Sequence, residues 1–287
     1  MRTRPAAIAG TTLFAFGTTA FSVASRALWQ HGPALLFLNL TLWLLASRAT
    51  TTRLFLAGVT SGLLFWNRPL LAVIVSPLAV VVLFRERWLA AAHAAGACVS
   101  LTLLTWYSLT YWKAPGLGQA DLFHRFTGNP LEGFPGLLAS PNRGLFVFTP
   151  AFLLSIVPLV AALRHPRKEP LLTALGIGSG LLVLVCSFWF SWWGGHSHAY
   201  RLLTELAPAL ALFFAIAYER LRRSASRLAA FGLVAASIYI HALLAYVGPC
   251  GFNATPNDID AHPERLWSVR DTELGRCQSQ LLGKLTK

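Results

Sequence analysis

The sequence predicts an all-α, polytopic integral membrane helix bundle of about nine transmembrane helices, with the N-terminus cytoplasmic and a C-terminal tail outside. Three observations predict it. Of the 287 residues 55% are hydrophobic and 12% charged, with a mean hydropathy of +0.55; a soluble domain carries about twice that charged share. Apolar runs close to the ~18–20 residues that cross a bilayer recur along most of the chain. The Lys and Arg residues gather in short clusters between those runs. Hydrocarbon admits only helices or closed barrels, and the runs lack the alternation of barrel strands.

Taken in order, the segments fall at about 6–25, 33–47, 52–66, 69–84, 88–112, 144–163, 171–193, 202–219 and 228–247. Alternation then assigns Arg2, Arg4, Arg48, Arg53, Arg85, Arg87, Arg164, Arg167, Lys168, Arg220, Arg222, Arg223 and Arg227 to inner connections. Outer connections before the tail receive Arg26, Arg68, Lys113, Arg125, Arg143 and Arg201. The bias of about two to one supports the orientation. It also explains the net charge of +13 as loops facing anionic lipid, so nucleic acid is not an expected partner. No cleavable signal pattern stands at the start, so the first helix is expected to stay. The third and fourth segments are short, and their Asn67-Arg68-Pro69 tip is expected to form a tight hairpin at or below the outer surface. The domain division is 1–247 as the membrane domain, with an outer loop at about 113–143, and 248–287 as an extracytoplasmic tail with a helix starting near Pro263.

Cys98 and Cys186 lie in apolar segments and read as small hydrophobes. Cys250 and Cys277 both fall in the tail, where an oxidising compartment would allow a disulfide; two free thiols are the alternative. Asn253-Ala254-Thr255 fits a glycosylation acceptor, a short pattern that also arises by chance.

The chemistry is expected at the outer helix ends. Trp192-Trp193-Gly194-Gly195-His196-Ser197-His198-Ala199-Tyr200-Arg201 precedes Glu205 and Pro208. The paired glycines permit a sharp turn and close approach by a ligand. Arg201 at a helix start joins a cation to free backbone N–H groups, which suits a phosphate or pyrophosphate; an Arg reaching lipid phosphate beside an aromatic belt is the bland reading. Glu205, one turn along inside an apolar run, needs a partner or water. It either pairs with and orients Arg201 or serves as an acid or base. Ser140-Pro141-Asn142-Arg143-Gly144 and Asn67-Arg68-Pro69 put further arginines at outer helix ends. His196 and His198 could bind zinc, but only Glu205 offers a further ligand, so no metal and no other cofactor is expected. His31, His93 and His241 read as structural.

These motifs carry a resemblance. The run from Trp193 through Arg201-Leu202-Leu203-Thr204-Glu205 to Pro208 resembles bacterial membrane glycosyltransferases of the C-type superfold, relatives of protein mannosyltransferases and the aminoarabinose transferase. Ser140-Pro141-Asn142-Arg143-Gly144-Leu145-Phe146 and Trp29-Gln30-His31-Gly32-Pro33-Ala34 are similar to theirs in the same order. The resemblance implies an inner-membrane enzyme of the bacterial cell envelope. It would move a sugar from a polyprenyl-phosphate donor to an acceptor on the outer face. Arg201 would bind the lipid phosphate, with Arg143 and Arg68 as weaker candidates; the residues themselves add His196 as a substrate-binding candidate and Glu205 as the catalytic candidate. The family carries its catalytic acid in the first outer loop, whereas Arg26 to Pro33 here holds no Asp or Glu. A fragment lacking two or four preceding helices, or a relative without the chemistry, is therefore expected; Asp121 and Glu132 are the acids of the long outer loop. His198-Ala199-Tyr200 also replaces a Gly-Pro pair commoner in the family. A non-catalytic protein binding a lipid-linked glycan is the main rival. A transporter is less favoured, because the apolar segments hold few charges and no inverted repeat.

Overall fold

A computed structural model describes residues 3–26, 29–113, 123–248 and 250–286, and among them every regular element is helical. In chain order these are α1 (Arg4–Phe16), α2 (Thr19–Ser22), α3 (His31–Ala46), α4 (Thr51–Asn67), α5 (Ala72–Arg85), α6 (Ala90–Trp112), α7 (Pro130–Ala139), α8 (Leu145–Phe148), α9 (Ile156–Arg164), α10 (Pro170–Ser187), α11 (Ala207–Arg220), α12 (Ser224–Val247) and α13 (Glu273–Leu285), with 3₁₀ turns between several of them. Among the described residues three stretches are long and apolar enough to cross a membrane: Pro170–Ser187, Arg201–Arg220 and Ser224–Val247. Large apolar side chains face outward in each unit, among them Trp106, Tyr111 and Trp112 on α6 and Leu228 and Phe231 on α12. Such surfaces are liabilities in water and the natural exterior of a protein in lipid. The chain is thus a membrane-associated helical protein.

Three stretches qualify by length and composition against nine expected; α3 and α4 are unbroken but shorter, at 16 and 17 residues, and several other apolar runs are interrupted. The run at 6–25 stops at Gly17, and Thr18 restarts it as α2 by accepting the Ala20 N–H. The run at 144–163 breaks at Thr149-Pro150, since proline cannot donate to the preceding turn, and it resumes as α9 after a 3₁₀ turn. The run at 171–193 leaves the helix at Ser187. The run at 202–219 opens as the 3₁₀ turn Arg201–Leu206 before α11. Hydropathy continues across each break, so an apolar run does not equal one helix. Arg2 and Asp121 lie outside the described residues.

The chain divides into two compact units: Met1–Leu28, Thr127–Val160 and Val183–Lys287 form the first, Trp29–Phe126 and Ala161–Leu182 the second. In the second unit, α4 and α6 touch backbone to backbone. A Cβ on Gly58 would sit 1.9 Å from the His93 carbonyl oxygen, and one on Gly96 2.0 Å from that of Phe55. Gly62, four residues after Gly58, leaves room for the Ser100 hydroxyl, 2.0 Å from where a Cβ would sit. Small residues at this spacing let helices approach where no hydrophobic effect drives them together. The Thr41 and Thr60 hydroxyls, 2.8 Å apart, join α3 to α4. At the tip a turn is present, with α4 ending at Asn67, Arg68 extended and Pro69–Leu71 leading into α5, but α4 packs on α6 and α3 rather than pairing with α5 as a tight hairpin. Asn67 Nδ2 donates to the Gln30 carbonyl at 2.7 Å and Arg68 Nη1 lies 3.1 Å from His31 Nδ1, which ties the tip to the start of α3.

In the first unit α1 packs on α11, with Gly10 against Ala215, and a buried polar chain joins four elements. Ser22 Oγ lies 2.7 Å from His241 Nδ1, and His241 Nε2 lies 3.0 Å from Thr149 Oγ1. That hydroxyl is also 2.6 Å from the Tyr200 hydroxyl. All four side chains are buried, so the chain satisfies polar groups that hydrocarbon would leave unpaired. His241 is structural, as its sequence setting suggests.

The α4–α6 contact yields a prediction. Gly58→Ala should destabilise the protein by about 3 kcal/mol through overpacking, whereas Gly180→Ala, with open space around it, should cost less than about 0.5 kcal/mol. Thermal unfolding in detergent checks both.

Candidate functional site

The motif 140–144 is built to receive the tail. Ser140, Asn142 and Arg143 are buried. Ser140 Oγ donates to the Leu266 carbonyl at 2.7 Å. Asn142 Nδ2 donates to the carbonyls of Arg265 and Ser268, and its Oδ1 accepts the Glu273 N–H at 2.7 Å. Arg143 Nη1 meets Glu273 Oε2 at 2.9 Å, and Nη2 meets Asn253 Oδ1 at 2.5 Å. Both partners in the ion pair are 1% exposed. Arg143 was expected to face a lipid phosphate; its guanidinium is instead enclosed and turned toward Glu273.

Glu273 also organises the loop that sequence singled out. His198 Nδ1 donates to Glu273 Oε1 at 2.6 Å, and the Ala199 N–H points at Oε2 from 3.4 Å. A carboxylate only accepts, which fixes the His198 nitrogen as donor. Asn253 Nδ2 donates to the Ser197 carbonyl at 3.3 Å. Burial alone would raise the Glu273 carboxyl. The Arg143 charge and the His198 and Ala199 hydrogen bonds outweigh it and hold the group below the ordinary glutamate range.

The tail is closed on itself. Cys250 and Cys277 are joined by a disulfide, with Cα atoms 5.0 Å apart and 27 residues of separation. A loop of that length restricts the unfolded chain by about 3–4 kcal/mol. Phe252, almost fully buried, is faced by the guanidiniums of Arg265 at 4.8 Å and of Arg143 and Arg276 slightly farther off. Asp271 engages both Arg265 and Arg276. The helix expected from Pro263 is a 3₁₀ turn, Pro263–Trp267, and α13 begins at Glu273, capped by the Thr272 hydroxyl.

Between α10 and α11 the chain runs without regular helix from Phe188 to Tyr200. Gly194 and Gly195 have φ of +79° and +65°, where a side chain is strained. The turn folds back so closely that a Cβ on Gly194 would lie 3.6 Å from the Arg201 Cβ. Ala199 also takes a left-handed φ of 49°, with its N–H directed at Glu273. Trp192 packs its ring on Gly136 of α7 and directs Nε1 toward Glu132 Oε1 at 3.4 Å. Trp193 Nε1 donates to Asp260 Oδ1 at 2.8 Å.

Arg201 opens the 3₁₀ turn and is half-buried, while Glu205 on the same turn has no exposed surface. Glu205 is therefore enclosed by the protein on every side. Arg68 belongs to the second unit and is 5% exposed beside His31.

His196 is exposed and has partners that the sequence did not offer. Its Nε2 lies 3.0 Å from Asp258 and 3.6 Å from Asp260. The Asp260 backbone N–H, and then His196, hold the Asp258 carboxyl below the ordinary aspartate range. One nitrogen and two carboxylates within 4.8 Å of one another could hold part of a divalent ion's coordination sphere. The sequence reading found no companion for His196 except Glu205, because Asp258 and Asp260 lie about sixty residues away and only the clamped tail brings them close. No protein-family model, curated protein or solved structure matches the chain.

Two predictions follow from the buried pair. Arg143→Met should cost about 3–5 kcal/mol by stranding the Glu273 carboxylate, and Arg143→Met combined with Glu273→Leu should cost clearly less than the two single losses together. Denaturant unfolding in detergent measures the cycle. Because the folded Glu273 carboxyl is lowered, its contribution is complete above the unfolded value of 4.5 and is lost as pH falls through the folded value. The stability gap between wild type and Glu273→Gln should therefore be full at neutral pH and close in acid below that value.

Proposed function

We propose that this chain is a membrane glycosyltransferase, or the C-terminal portion of one, that handles a polyprenyl-phosphate-linked sugar on the outer face of a bacterial inner membrane. In this reading the shorter apolar helices cross as well, giving nine crossings with the N-terminus cytoplasmic and residues 248–287 outside. The observation that carries the reading is the 188–201 loop. It places a half-buried Arg201 at the start of a long apolar stretch, below a turn whose exposed His196 gathers Asp258 and Asp260. A cation at the membrane edge suits the donor phosphate, and the adjoining imidazole and carboxylates suit sugar hydroxyls.

In transfer, the bond between the anomeric carbon and the phosphate oxygen breaks as the acceptor oxygen or nitrogen bonds to that carbon. The lipid phosphate leaves with a full added negative charge, and the acceptor loses a proton to a base. Arg201 neutralises the phosphate as that charge develops, and Glu205 positions Arg201 from within the core. Arg143 acts indirectly by holding the tail on the loop.

A second reading is a non-catalytic protein that binds a lipid-linked glycan. The burial of Glu205 and the lack of an acid at 26–33 favour it. The test is binding of a polyprenyl phosphate to the purified chain in detergent, with turnover of the glycosylated lipid followed in parallel. Arg201→Ala should weaken binding about ten-fold or more, the loss of a charge-assisted contact. Unchanged binding in that variant would remove Arg201 from the site. Binding without turnover would select the second reading.

A further inference from the structure

Inside the second unit, the end of α3, the start of α4, the end of α5 and the first turn of α10 enclose a cavity of about 330 Å³. Its floor is apolar, made by Leu45, Leu54 and Leu171 among others, and its charged lining is Arg48, Arg85 and Glu86. Glu86 lies 3.7 Å from Arg85. Two guanidiniums against one carboxylate leave the lining one positive charge in excess. Arg53 adds to the field from beside it, with Nη1 donating to the Arg48 carbonyl at 3.4 Å.

The same end of α5 marks a membrane surface. Phe84 and Trp88 are 81% and 83% exposed, and the Arg87 guanidinium lies 4.7 Å over the Trp88 ring. Exposed aromatics paired with a cation at a helix end belong to the head-group layer, with ring and charge at the boundary. The cavity thus joins cationic and aliphatic lining at the same end of α5 that carries these aromatics.

We propose that this cavity binds the head group of an anionic glycerophospholipid, its phosphodiester between Arg48 and Arg85 and its glycerol and first acyl carbons on the leucine floor. A phosphodiester carries the single negative charge that the lining lacks. A zwitterionic lipid would bring an ammonium toward Arg53 and Arg87, so the cavity discriminates by the rest of the head group as well as by phosphate. The site is independent of any glycosyl transfer and of Arg201, which lies in the other unit.

Titration of the delipidated full chain in neutral detergent with phosphatidylglycerol and with phosphatidylcholine of the same acyl chains, read by native mass spectrometry, tests this. Wild type should retain phosphatidylglycerol about ten-fold more tightly, and millimolar inorganic phosphate should not displace it. Arg48→Ala with Arg85→Ala should abolish the preference. Both side chains are exposed, so the variant should keep the wild-type melting temperature. Arg222→Ala with Arg223→Ala, which removes as much charge elsewhere, should leave the preference intact. Equal retention of the two lipids by wild type, displacement by inorganic phosphate, or equal loss in both double variants would overturn the proposal.

Discussion

The first unit depends on one buried ion pair. Arg143 and Glu273 are both enclosed, and each is costly to bury alone, so each fixes the place of the other. Glu273 Oε2 accepts from Arg143 and faces the Ala199 N–H, and Oε1 accepts from His198. The segment before α8, the start of α13 and the loop before Arg201 therefore meet at one carboxylate. Asn142 and Asn253 complete the arrangement by satisfying tail carbonyls and the Arg143 guanidinium. The Ala199 backbone, in a conformation that alanine avoids, persists because this junction over-determines it.

The two units reach close packing by different means, and the contrast follows from their side chains. The second unit uses absence: Gly58, Gly62 and Gly96 have no side chain, so α4 and α6 gain dispersion contacts along their backbones. The first unit uses polarity, with Ser22, Thr149, Tyr200 and His241 hydrogen-bonded across elements where no water is available. Both answer the same constraint. In an apolar solvent the exclusion of water contributes little to helix association, and specific contacts must supply it.

How far each feature could be read in the sequence follows from the range of the interactions behind it. The helices are legible because hydropathy and the Gly, Pro and Arg punctuation act locally; the 69–84 segment and α5 with its opening turn nearly coincide. The breaks at Gly17 and Pro150 are marked by residues that disfavour helix, but the apolar composition around them hides the interruption. The close spacing of Gly58 and Gly62 is a signal for the α4–α6 contact, although it does not name Gly96 as the partner. Arg201, Glu205 and His196 stand out because charge and glycine are unusual in apolar surroundings. Their partners do not, since Asp258 and Asp260 look like ordinary tail residues until the fold brings them to His196. Arg143 shows the limit most clearly: its charge marks importance, while its role is set by a glutamate 130 residues away.

That separation bears on how the protein is made. A chain leaving the ribosome presents Arg143 long before Glu273 exists, so the arginine stays near water or lipid phosphate until its partner is made. The junction closes only when the C-terminal tail folds back, and the loop before Arg201 takes its shape at that moment. Synthesis of α13 thus serves as a checkpoint: a chain cut short before it would keep its apolar helices and lack the arrangement that orders its most polar surface.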